Sequence, residues 1–213
     1  MTDLHPELEK YILDHIDPED QLLHDLNRYT HLKVMHPRMI SGHLQGKILK
    51  MLCQMIKPQK VLEIGTYTGY SAICLAQGMP YDGHLHTIEA NDELVDIPQQ
   101  YFLRSGLSNK ITLHVGDARK IIPSLNEKFD LVFLDGEKSE YLEYYNLVFD
   151  KVNSGGYIFA DNILWSGKVL IDEESNDYFT KGIKEFNNFV KNDNRVEKVI
   201  LPVRDGLMIL RKL

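Results

Sequence analysis

Two apolar segments of this chain end in oxygen-bearing side chains. Phe129 to Leu134 runs into Asp135-Gly136-Glu137-Lys138, and Tyr157 to Ala160 runs into Asp161-Asn162. If the two segments are adjacent parallel strands, Asp135, Asp161 and Asn162 meet at one edge of a sheet. Two carboxylates and an amide oxygen form a hard, oxygen-only donor set that suits Mg2+ or Ca2+, with Mn2+ as a further option. Three protein ligands leave coordination positions for substrate oxygens and water. A phenol, with a pKa of about 10, is a weak nucleophile at neutral pH. Two adjacent ring oxygens chelating a divalent cation would lower that pKa and fix one oxygen for attack. Lys138, three residues after Asp135, is the candidate to take the proton. Asp-Gly and Asp-Asn are also ordinary turn dipeptides, so this reading needs support from elsewhere in the chain.

That support comes from Glu63-Ile64-Gly65-Thr66-Tyr67-Thr68-Gly69-Tyr70-Ser71. Gly65 and Gly69 allow a tight turn and close approach of the backbone to a ligand, but the spacing is not the dinucleotide fingerprint. A carboxylate at Glu63 would repel a pyrophosphate. It would suit a ligand with an ammonium group and a sulfonium, and S-adenosylmethionine has both and no phosphate. Thr66 lies in the turn. Ser71, near the start of the next helix, could hold the ligand's carboxylate with the local N–H groups. Glu89 ends the second apolar segment, where an acid can accept both ribose hydroxyls. Gly116-Asp117-Ala118 ends the third, where the adenine would lie. Asp117 also fits a plain helix N-cap.

The elements that must position these residues follow from hydrophobic periodicity. Pro6 to Ile16, Pro18 to Leu32 and Ser41 to Ile56 read as helices. Strands are expected at Lys60 to Ile64, His84 to Glu89, Ile111 to Val115, Phe129 to Leu134 and Tyr157 to Ala160. Helices alternate with them at Tyr70 to Gln77, within Asp92 to Ser105, at Ala118 to Leu125 and from about Ser139 to Val152. A long loop and a helix from about Tyr178 to Val190 follow. A hairpin of Val196 to Val203 and Leu207 to Arg211 closes the chain. The alternation, with central strands apolar on both faces, argues an α/β fold with a covered, mostly parallel sheet. Ligands in such folds bind beyond the carboxyl ends of the strands.

With 213 residues, 43% of them hydrophobic and 26% charged, the chain has ordinary globular composition. One domain is expected, with N-terminal helices over residues 1–57 and a Rossmann-like core over 58–213. No apolar run is long enough for a membrane helix, and the polar start does not read as a secretory signal. Cys53 and Cys74 fall inside apolar helical patterns and read as buried thiols, so a cytoplasmic location is expected. The formal net charge of −7 weighs against a large nucleic-acid surface.

Glu63 to Ser71, Phe129 to Lys138, Asp161-Asn162-Ile163-Leu164-Trp165-Ser166-Gly167 and Leu201-Pro202-Val203-Arg204-Asp205-Gly206 together resemble the cation-dependent O-methyltransferase family, which includes caffeoyl-CoA and catechol O-methyltransferases. The resemblance runs from about Met35 to the C-terminus. It implies a class I methyltransferase fold with a seven-stranded sheet, an antiparallel C-terminal strand and extra N-terminal helices. It implies metal binding by Asp135, Asp161 and Asn162, and Lys138 as base. Glu63, Gly65, Ser71, Glu89, Ala118 and Ser41 are implied in the S-adenosylmethionine site, with Asp135 approaching the cofactor amine. It also implies a homodimer, with N-terminal helices contributing to the acceptor pocket. Met35 and Trp165 are the candidates for that pocket's wall, Trp165 as a cover for a flat ring. For Tyr141, Tyr144 and Tyr145, helix packing is the favoured reading. Gly136, Glu137 and Arg204 depart from the family pattern, Arg204 standing where glycine is usual. The short N-terminal region favours a small free catechol over a CoA thioester.

Two further readings compete. Methylation of a hydroxylated tRNA base would use Lys33, Arg38 and Lys47 near the pocket mouth. A non-catalytic S-adenosylmethionine-binding protein would have no need of the donor triad and Lys138 together.

Overall fold

The computed structural model describes residues 5–171 and 177–213. Among these residues seven strands form one sheet: β1 (Lys60–Ile64), β2 (His84–Glu89), β3 (Ile111–Val115), β4 (Phe129–Leu134), β5 (Val152–Ala160), β6 (Val196–Leu201) and β7 (Leu207–Lys212), in the order β3-β2-β1-β4-β5-β7-β6. β3, β2, β1, β4 and β5 are parallel neighbours, and β7 runs antiparallel to both β5 and β6. The expected class I methyltransferase sheet is therefore present. Its order reverses between β1 and β4, where side chains after both strands can converge on one crevice.

Among the described residues, eight α-helices surround the sheet: α1 (Pro6–Asp14), α2 (Gln21–Lys33), α3 (Gly42–Ile56), α4 (Tyr70–Gly78), α5 (Asp96–Arg104), α6 (Ala118–Ser124), α7 (Tyr141–Phe149) and α8 (Tyr178–Lys191). Alternate strand residues face two apolar layers. Leu62, Ile64, Val132, Leu134 and Ile158 pack with residues of α6, α7 and α8. Val61, Leu131, Phe133 and Phe159 pack with residues of α2, α3, α4 and α5. Central strands buried on both faces explain their near-continuous apolar sequences. No helix among the described residues is long and apolar enough to cross a membrane.

Several boundaries differ from the sequence expectation, each for a local reason. Helix α2 begins at Gln21 rather than Pro18, because the Asp20 side chain caps it by accepting from Leu22 N–H at 2.9 Å. Helix α7 stops at Phe149, and β5 starts at Val152 rather than Tyr157. β5 also takes in Asn153-Ser154-Gly155-Gly156 through a register irregularity against β4, with Gly155 at φ +79°. Strand β6 ends at Leu201, before Pro202, which has no N–H for the ladder. The loop expected after Asp161 contains a 3-10 segment, Trp165–Leu170. Its residues 172–176 lie outside the described residues.

Helix α3 is held against α4 at Gly46, where a Cβ would come within 2.7 Å of both Cys74 Sγ and the Tyr70 ring. That close approach brings Ser41 and Gln45, at the start of α3, over the carboxyl ends of the strands.

Candidate active site

The backbone itself assembles the site. After β1, the N–H groups of Gly65 and Thr66 both donate to Ile88 O of β2. Asp135 N–H donates to Ile64 O at 2.9 Å, and Asp161 N–H donates to Leu134 O at 3.0 Å. The turns after β1, β4 and β5 are thereby stitched side by side. Gly65 sits at φ +102°, and a Cβ there would strike the Asp135 carbonyl, so glycine is required twice over. The resulting cleft is lined by Ser41, Gly65, Thr66, Tyr67, Ser71 and Asp135, among others. The structure thus brings together five of the residues singled out from the sequence.

Glu63 lies beneath this cleft and is fully buried. Its Oε2 accepts from the Thr87 hydroxyl at 2.5 Å, while Oε1 is buried with no hydrogen-bond partner. Burial pushes the carboxyl up to about 8. Ser71 and Thr87 oppose that rise, and the charges of Asp135 and Glu89 add to it. A buried acceptor without a donor is costly, and an ammonium-bearing ligand would relieve it. Thr66 Oγ1 is 2.6 Å from Thr87 Oγ1, extending the same network. Glu89 Oε2 accepts from Tyr67 N–H at 2.6 Å and Oε1 from Asn91 N–H at 2.9 Å. Burial raises its pKa against these backbone bonds. The carboxylate is held rigidly and keeps lone pairs for two further donors.

Asp117 and Ala118 lie at the third strand end as expected, outside the cleft lining. The Asp117 carboxylate caps α6 through Arg119 N–H at 2.9 Å and pairs with the Arg119 guanidinium. Ala118 is buried under the first turn of α6.

Beyond the end of β4, Lys138 Nζ donates to Asp135 Oδ1 and to Tyr141 Oη, both at 2.7 Å. Tyr141 Oη lies 3.0 Å from Leu134 O and 3.1 Å from Asp161 O, tying the ends of β4 and β5 together. Asp161 Oδ1 accepts from Asn162 N–H at 2.9 Å, and Oδ2 accepts from Gln45 Nε2 at 2.7 Å. Asn162 turns the chain at φ +58°, a conformation asparagine tolerates better than most residues. Burial is the main cause that raises Asp135 to about 6. Lys138 and Arg204 oppose the rise, and the Asp161 charge adds to it. Asp135 and Asp161 interact electrostatically at adjacent strand ends, and with the neighbouring Asn162 amide they offer the oxygen donor types that suit a divalent cation. Among the described residues no group of three or more His, Cys, Asp or Glu side chains could hold a metal, so an oxygen site here rests on Asn162 as the third donor.

The acceptor-side residues are more scattered. Met35 is 78% exposed on the loop before α3, and Tyr67 Oη donates to its carbonyl at 3.0 Å. Trp165 is held by the hairpin turn: Ile163 and Leu164 N–H donate to Gly206 O and Asp205 O, and the ring packs 6.1 Å from Phe179. Neither Met35 nor Trp165 lines the cleft itself. Tyr144 and Tyr145 are core residues, as favoured from the sequence. Tyr141 is a core residue whose hydroxyl also reaches the site. Sequence reasoning missed Tyr67, Gln45 and the contacts of Arg204.

Fold and site define a class I methyltransferase. The chain matches the O-methyltransferase family model over residues 14–213 and belongs to that family, the S-adenosylmethionine-dependent class its motifs led us to expect. The match begins earlier than the motifs alone suggested. The chain is 35% identical over 161 residues to a catechol O-methyltransferase of Niastella koreensis, covering 74% of this chain and 72% of that protein. It is 29% identical to a caffeoyl-CoA O-methyltransferase of Stellaria longipes, covering 97% and 90%. An O-methyltransferase from Bacillus cereus, solved in complex with SAH, superposes with a TM-score of 0.90 at 28% identity, over 97% of both chains.

Proposed function

We propose that this enzyme moves the methyl group of S-adenosylmethionine to one hydroxyl of a small aromatic vicinal diol held at a divalent cation. The observation that carries this reading is a buried, half-satisfied Glu63 near the end of β1, beside the adjacent strand ends of β4 and β5 that carry Asp135, Asp161 and Asn162. S-adenosylmethionine would supply an electrophilic methyl on a sulfonium. Mg2+, or alternatively Mn2+ or Ca2+, would supply the charge that makes one hydroxyl acidic. The relatives support an aromatic hydroxyl acceptor, one being a catechol and the other a caffeoyl-CoA O-methyltransferase by name.

The chain's own residues then have distinct tasks. Glu63 Oε1 would receive the ammonium, Ser41 and Ser71 the carboxylate end, and Glu89 the ribose hydroxyls. Asp117 and Ala118 would border the adenine, Asp117 through its position, since its carboxylate is already engaged. Asp135 and Asp161 with Asn162 would hold the cation. Lys138 Nζ would take the proton lost by the attacking hydroxyl only as the neutral amine, having first released one of its own protons, with Asp135 and Tyr141 orienting it. Met35 and Trp165 would close over the ring. The sulfur keeps the electron pair of the broken bond, and the new bond forms to the acceptor oxygen, so alignment carries much of the rate.

Asp161→Ala tests the assignment. It should abolish catechol methylation while cofactor affinity, measured by calorimetry, stays within about threefold. Unchanged turnover would remove Asp161 from the site. A homodimer belongs to the same reading, checked by light scattering.

A further inference from the structure

The Arg204 guanidinium reaches from the turn between β6 and β7 to the start of α3. Its Nη1 donates to Ile40 O at 3.1 Å, to Ser41 O, and to Gln45 Oε1 at 2.7 Å. A guanidinium can only donate, so this bond assigns the oxygen of the Gln45 amide to the Arg204 side. Nε2 must then face the other way, where it donates to Asp161 Oδ2 at 2.7 Å. Gln45 is 2% exposed and Asp161 3% exposed, so water does not compete for this bond. Asp161 Oδ1 is fixed in turn by Asn162 N–H. Both oxygens of one carboxylate are therefore oriented, one by the adjacent backbone and one by a side chain 116 positions away.

We infer that Gln45 is a positioning residue for the Asp161 carboxylate, and that Arg204 sets the Gln45 amide in the orientation that task needs. A glutamine amide left to itself can present either end to a carboxylate, and the oxygen end would repel it. Arg204 removes that choice. The same guanidinium holds the carbonyls of Ile40 and Ser41, so the cleft's α3 edge and the Asp161 carboxylate share one anchor. The effect on metal binding rests on the reading of Asp161 as a ligand; the orientation of the carboxylate does not. Residues that orient ligands typically change metal affinity by about 10–100-fold when removed.

The experiment has two arms on the full chain. In the first, Mn2+ alone is titrated and free Mn2+ is counted by electron paramagnetic resonance, with S-adenosylmethionine affinity measured alongside. Gln45→Leu should weaken Mn2+ binding by about tenfold or more and leave cofactor affinity within about twofold. Arg204→Met should weaken both, because it frees Ser41 as well, and Arg204→Lys should recover part of the Mn2+ affinity by donating to Gln45 Oε1. In the second arm, the Gln45 side-chain amide is followed by nuclear magnetic resonance without metal. Its protons should be protected from solvent exchange in the parent, and the protection should be lost in Arg204→Met. If the parent chain binds no Mn2+, the metal reading fails, and the amide protection still decides the relay. A rapidly exchanging Gln45 amide in the parent, or a Gln45→Leu chain that binds Mn2+ as tightly as a competent parent, would overturn the inference.

Discussion

Gly65 and Asp135 are in backbone contact: a Cβ at Gly65, which sits at φ +102°, would collide with the Asp135 carbonyl. The turn proposed to receive the cofactor and the strand end that carries the proposed metal ligand are thus one packed unit. Gly65→Ala meets both the steric contact and the left-handed strain. It is expected to destabilise the fold by about 2 kcal/mol or more and to weaken S-adenosylmethionine binding. Thermal unfolding and calorimetry check this; a variant with parental stability and affinity would show that the two strand ends are not coupled.

Glu63 offers a test with a defined sign. Its folded-state pKa, about 8, lies above its ordinary 4.5. The native chain therefore keeps a proton that the unfolded chain has released, and this group makes stability fall as pH rises from about 4.5 toward 8. Glu63→Gln should remove that slope and raise the cofactor-free stability near pH 8 by about 2–4 kcal/mol. The same change should weaken S-adenosylmethionine binding by at least about tenfold, since a carboxyl that can give up its proton to pair with the ligand's ammonium is replaced by an amide that cannot ionise. Denaturant titrations across pH, paired with calorimetry, read both. Loss of stability together with intact cofactor binding would contradict the assignment.

Much of this site was legible because it sits at strand ends, where residue type, glycine spacing and strand order are local signals. Glu63, Gly65, Ser71, Glu89, Asp135, Lys138, Asp161 and Asn162 all come from short stretches flanking apolar runs. Gln45 and Arg204 were not legible as site residues, because their bond spans 159 positions and joins α3 to a hairpin turn. Arg204 could be seen only as a departure from glycine, with no indication of what it touches. Tyr141 has the spacing of a packing residue, and it does pack; nothing local shows that its hydroxyl reaches Lys138. The start of β5 was missed because consecutive glycines read as a loop wherever a bulge absorbs them.

Lys138 is expected to act in turnover and not in cofactor binding. Lys138→Met should lower kcat by about 10^2–10^4-fold and leave the S-adenosylmethionine Kd within about threefold. Rapid-quench measurement of methyl transfer separates this from product release. A kcat within about threefold of the parent would assign the proton to another acceptor.

Away from the site, His86 contributes a second pH dependence. It stacks on His114 with Nδ1 2.9 Å from His114 Nε2, and His84, Lys60 and Glu127 also face it. Burial first, and then the neighbouring histidines and Lys60, push its pKa down to about 4 from 6.5, against the pull of Glu127. Between those values the unfolded chain binds the proton and the native chain does not. Stability should therefore fall as pH drops from about 6.5 toward 4, by at most about 3 kcal/mol. His86→Leu should flatten this limb; urea titrations at about pH 7 and pH 5 would show it, and an unchanged slope would assign the acid sensitivity elsewhere.

The most direct test is methyl transfer from S-adenosylmethionine to a panel of catechols and matched monophenols, with Mg2+ and with excess chelator. Methylation confined to vicinal diols and abolished by chelator is the expected result. Equal methylation of monophenols, or full activity in chelator, would contradict the chelated-diol account.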